Sequence, residues 1–168
     1  MLLADKSSYV SNEESLFEKF VRIGEEQSLV TLPYRLHLFL VRCLVEHLRD
    51  TDITHHVLAI SFLQSATKRG AQGNLFLKRT GDEALLLAGL FPERALRLHV
   101  SSSYFRHMGQ AAYATLATKF QVTGKSDVGK FYDEVARNFD FLEKVLDAAR
   151  ARPDSEWGAF LRFRARIQ

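Results

Sequence analysis

With 168 residues, 46% hydrophobic and 26% charged, the chain has the bulk character of one soluble globular domain, residues 1–168. Three prolines and nine glycines argue against a many-turned β protein, and one cysteine excludes both an internal disulfide and a four-cysteine zinc site. A net charge of +3 is too weak to imply nucleic acid, no apolar run approaches the ~20 residues that span a bilayer, and the N-terminal MLLADKSSYVSNEES lacks a signal pattern, so the expectation is a cytoplasmic protein.

In chain order the apolar periodicity is helical nearly throughout. Ser11 and Glu14 fit a capping box ahead of a stripe of Leu16, Phe17, Phe20, Val21 and Ile23. SLVTLP interrupts that pattern, and Pro33 suits a helix start because its missing N–H costs no intrahelical bond there. YRLHLFLVRCLVEHLRD is apolar on most faces and is expected at the centre of the core, with Cys43 as a small core residue. Thr51 or Asp52 can cap a helix carrying Ile53, Val57, Leu58, Ile60, Phe62 and Leu63. TKRGAQGN reads as a polar break. LFLKRTGDEALLLAGLF follows, with Gly81 inside one helix or between two, and Gly89 and Pro92 end it. PERALRLHV is a short helix, and Ser101 to Ser103 can cap YFRHMGQAAYATLATKF. After the turn TGKSD, the stretch VGKFYDEVARNFDFLEKVLDAAR reads as one amphipathic helix. Pro153 precedes a last short helix with Trp157, Phe160, Leu161 and Phe163. The sum is an all-α single-domain bundle of about seven or eight helices joined by short breaks.

Motifs that carry chemistry are scarce. There is no GxxxxGK[ST], GxGxxG, GxSxG, HExxH or Glu-x-x-His, and TGKSD is a capping turn rather than a phosphate loop. Of the six histidines, no two lie four apart on one expected helix, so no metal centre and no cofactor are expected.

Asp82 and Glu83 stand directly before the most apolar run. Acids in a first helical turn are favoured by roughly 0.3–1 kcal/mol, so their first reading is as the mark of a helix start. Their second reading is a buried polar network: Tyr104 and His107 share a face of a later helix, Tyr113 follows, and Gly109, Ala111, Ala112 and Ala114 allow close approach. An acid–base site is the third, and it lacks a nameable nucleophile or cofactor.

The segment GDEALLLAGLFPERALRLHVSSSYFRHMGQAAYATLA resembles a family of small all-helical proteobacterial proteins. Their pattern is GD-x-AL-x-x-x-G-x-FPE followed by a tyrosine-containing helix of small residues. The resemblance covers residues 81 to about 117. It implies a bacterial cytoplasmic protein and marks Gly81, Asp82, Phe91, Pro92, Glu93, Tyr104, Gly109 and Tyr113. No activity comes with it.

Charge is unevenly spread. Residues 1–27 hold three basic and six acidic groups, and residues 148–168 hold five arginines against Asp154 and Glu156, so the ends carry −3 and +3. Arg162, Arg164 and Arg166 alternate with apolar residues in a tail that can dock on its own domain or bind a partner. The function expected first is a non-enzymatic interaction module, an adaptor, regulator or chaperone-like protein that self-associates as a homodimer. The alternative is a small-molecule-binding bundle or enzyme with a pocket around Asp82, Tyr104, His107 and Tyr113. Nucleic-acid binding through the arginine tail comes third.

Overall fold

The periodic segments become seven helices in a computed structural model that describes residues 6–47, 68–101 and 103–152. They are α1 (Lys6–Ser28), α2 (Tyr34–His47), α3 (Gly70–Leu90), α4 (Glu93–Arg97), α5 (Tyr104–Val122), α6 (Ser126–Arg137) and α7 (Phe139–Ala151). The described residues contain no strand, so the fold is all-α, and none of their helices is long and apolar enough to cross a membrane. The helix expected from Ile53 to Leu63 and the arginine tail with its short helix lie outside the described residues.

The central element is α3, not α2. Residues 80–90 of α3 are buried on every face, while α2 keeps Tyr34, Arg35, Arg42 and Glu46 exposed. The reason is position: α3 packs on α5 and α7 and also touches α2, whereas α1 packs on α7 and α2. Leu36, Leu40 and Leu44 of α2, Leu85, Leu86 and Leu90 of α3, and Phe139, Leu142, Val145 and Leu146 of α7 fill the space between, all with at most 1% exposure.

Several expected boundaries move. α1 starts at Lys6, so Ser11 and Glu14 fall inside a helix and not at its start. Most of TKRGAQGN is helical, because α3 starts at Gly70 and runs through Gly73, Gly81 and Gly89 without interruption. The long amphipathic segment divides at Asn138, whose backbone N–H and side-chain Nδ2 both donate to the Glu134 carbonyl while its own carbonyl accepts from Phe141 and Leu142.

Three helices end in the same way. Val30 N–H donates to the Glu25 carbonyl, Val100 to Ala95 and Lys125 to Phe120, the six-to-one bonds that need a left-handed residue just before the donor. That residue is Gly124 at the end of α5, but Leu29 (φ 57°) after α1 and His99 (φ 54°) after α4. Leu29 is 93% exposed, so its side chain returns little packing for the strain. Left-handed backbone costs an L residue about 1–2 kcal/mol, partly offset by the freedom glycine adds to the unfolded chain. Leu29→Gly should therefore stabilise the fold by about 0.5–1 kcal/mol. A urea midpoint that stays put or falls would show that this turn holds no strain.

Candidate functional site

Two helix faces meet over a single buried carboxylate. On α2, Cys43 and His47 are four residues apart and share a face; on α3, Lys78 and Asp82 do the same. Asp82 has no solvent exposure. Its Oδ1 accepts from the Tyr113 hydroxyl of α5 at 2.7 Å. Its Oδ2 accepts from Lys78 Nζ at 2.7 Å and lies 2.9 Å from His47 Nε2. An ionised carboxylate only accepts, so this geometry places a proton on Nε2 of His47. Lys78 Nζ also donates to Glu46 Oε2 of α2 at 2.9 Å, bridging two carboxylates.

Gly81 is what lets Tyr113 reach. A Cβ on Gly81 would lie 2.6 Å from the Tyr113 ring, too close for any real contact, so only glycine allows the ring to cross α3 beside Asp82. Phe39 holds the ring edge-on at 5.8 Å between centroids, and Tyr132 stacks on it at 6.2 Å.

Electrostatics hold the reactive-looking groups in their protonated forms. Burial pushes the Cys43 thiol well above its ordinary value of 9.0, and the negative charge of Asp82 pushes it further, against a smaller opposing pull from Lys78. Burial and then Asp82 raise the Tyr113 phenol well above 10.0, and burial raises Tyr132. Burial alone would lower Lys78, but the charges and hydrogen bonds of Asp82 and Glu46 outweigh it and hold the ammonium above its ordinary 10.5.

A cleft of about 340 Å³ opens above this cluster between α2, α3 and α6. Phe39, Phe131 and Tyr132 wall it, Cys43 and Lys78 lie at its base, and Arg35, Arg42 and Glu46 stand around it. Arg35 is tied to Glu134 at 2.6 Å. Arg42 is exposed and has no ion-pair partner among the described residues.

Of the expected network, the structure brings Asp82 and Tyr113 together. Asp82 sits in the thirteenth position of α3, so it does not mark a helix start, and the punctuation reading falls. Glu83 is also buried but turns to Arg79, one turn back, at 2.7 Å. Tyr104 lies half-buried, edge-on to Phe105 at the start of α5, and His107 is exposed. The histidine beside Asp82 is His47. Arg162, Arg164 and Arg166 lie outside the described residues. Cys43 is buried as expected of a small core residue, but its place in this cluster, with His47 and Lys78, was not expected, although Cys-x-x-x-His and Lys-x-x-x-Asp are both one-turn pairs in the sequence.

As donors, Cys43, His47 and Asp82 converge: one ligand atom from each lies within 4.8 Å of the other two. No family model, curated protein or solved structure matches the chain.

Proposed function

We propose that the protein is a non-enzymatic binding module whose cleft between α2, α3 and α6 takes a small anionic ligand with an apolar body. The observation that carries this reading is the composition of the cleft: Arg42, with no ion-pair partner among the described residues, stands beside the aromatic wall of Phe39, Phe131 and Tyr132, above the Lys78–Asp82 pair. A guanidinium beside apolar rings suits a carboxylate or phosphate joined to a flat or branched hydrocarbon. Binding rather than catalysis is favoured because the candidate nucleophiles Cys43, Lys78 and Tyr113 are held as thiol, ammonium and phenol. The resemblance over residues 81 to about 117 supports a bacterial cytoplasmic setting for this module.

Native mass spectrometry of the full chain, purified gently from its own host, tests the reading. A small additional mass, lost on denaturation and absent from Arg42→Glu, is the expected result. Whole-chain multiples with no small mass would replace it with the self-associating module that the oppositely charged ends suggest.

A further inference from the structure

The donor set beneath the cleft has a use that hydrogen bonding does not exhaust. We propose that Cys43 Sγ, His47 Nε2 and the Asp82 carboxylate form a site for a divalent transition metal of the zinc class, with Lys78 occupying the ion's place in the metal-free chain. The proposal rests on the reading of this cluster as a binding site and names what it binds first.

Three features carry it. The donors are one sulfur, one imidazole nitrogen and one carboxylate oxygen, the mixture that a borderline-soft ion prefers and that magnesium or calcium does not. Their spacing is right: in a tetrahedral site with bonds of about 2.0–2.3 Å, ligand atoms sit about 3.3–3.7 Å apart. Atoms already within 4.8 Å close onto one ion by side-chain movements of under about 1 Å each. The third feature is the cation now present. Oδ2 of Asp82 receives both Lys78 Nζ and His47 Nε2, so two donors converge on the oxygen that would face the metal.

The exchange balances. The ion forms a bond to sulfur as Cys43 releases its proton to solvent. His47 binds through the Nε2 lone pair once its proton has moved to Nδ1 as the other neutral tautomer. Lys78 leaves Asp82 and keeps Glu46, which is half exposed and already 2.9 Å away. Tyr113 stays on Oδ1 and orients the carboxylate from behind, as outer-shell donors do in metal sites. Three protein ligands leave a fourth position beside the cleft, where the anionic group of the proposed ligand would coordinate.

Cobalt(II) titrated into the full-length chain is the test, because the ion reports its ligands in its spectrum. The expected result is one cobalt per chain, a thiolate-to-cobalt charge-transfer band, and visible bands of tetrahedral intensity that zinc abolishes. Cys43 is the only cysteine, so the charge-transfer band can have no other source. Cys43→Ser should remove the band, Tyr113→Phe should weaken binding about 10-fold, and His107→Ala, an exposed residue near the start of α5, should change nothing. Lys78→Met should tighten binding, since it removes the competing ammonium. Cobalt bound without the thiolate band, or no uptake by the wild-type chain, overturns the metal site. A small mass retained in the native spectrum would then leave the cleft reading standing. Neither ion nor small mass would end both.

Discussion

Asp82→Asn should lower the unfolding free energy by about 3 kcal/mol, the lower end of the cost of removing one partner from a buried ion pair. The carboxylate has no exposure and takes three donors. An amide of the same shape keeps one acceptor for Tyr113, but its NH₂ then faces Lys78 and His47, donor against donor. The lower end applies because the Lys78 side chain is 29% exposed and retains Glu46, so its ammonium is not stranded. For a chain of this size, 3 kcal/mol corresponds to a fall in Tm of roughly 6–12 °C. Differential scanning calorimetry with a chelator present checks it. A fall of under about 1 kcal/mol would mean that the three donors find water or other partners, and that Asp82 does not fix how α2, α3 and α5 meet.

The same residue explains why part of this site was hidden in the sequence. Thr80-Gly81-Asp82-Glu83 before a leucine run has the look of a helix N-terminus: a breaker, then acids, then the apolar face. Gly81 and Asp82 are there for tertiary reasons instead, and Glu83 for a bond within its own helix. Gly81 makes room for the Tyr113 ring, Asp82 collects donors from two other helices, and Glu83 takes Arg79 one turn back. Long-range packing had imitated local punctuation, and local rules cannot separate the two.

Helix content, by contrast, was open to reading, because burial of one helical face imposes its period on the sequence wherever packing is ordinary. Of the expected stripe, Phe17, Phe20 and Val21 are buried as their spacing requires and Ile23 partly so, while Leu16 is exposed. Boundaries were legible only where they depend on backbone chemistry peculiar to one residue type. Pro33 directly before α2 and Gly124 after α5 were such places. Leu29 and His99 fill the same left-handed position as Gly124 without being glycine, and nothing in their type announces it. Asn138 was missed for a related reason: the apolar period runs across it from α6 to α7 while the backbone restarts. The meeting of Cys43 and His47 with Asp82 joins residues 35 or more apart, and only the packed fold supplies it.

Stability should be flat with respect to these groups up to about pH 9 and then fall by roughly 2–4 kcal/mol by pH 11. The sign follows from the folded chain holding protons that the unfolded chain releases. Above 9.0 the unfolded chain loses the Cys43 proton while the folded thiol keeps it, and above 10.0 the same is true of Tyr113. Each such group contributes up to about 1.4 kcal/mol per pH unit until its raised folded value is reached. Lys78 acts in the same direction above 10.5, because the folded ammonium retains the proton that the unfolded one releases. Tyr132 adds less, being only half-buried and screened by solvent. Urea midpoints measured across this range, with a chelator present, should show the onset near pH 9 and its delay by about one unit in Cys43→Ala. The delay discriminates between readings of the site. If Cys43→Ala leaves the onset where it was, the thiol titrates alike in the folded and unfolded chains. It would then be available as a thiolate under the cleft, beside His47 and Asp82, and the case for binding without catalysis would lose its main support.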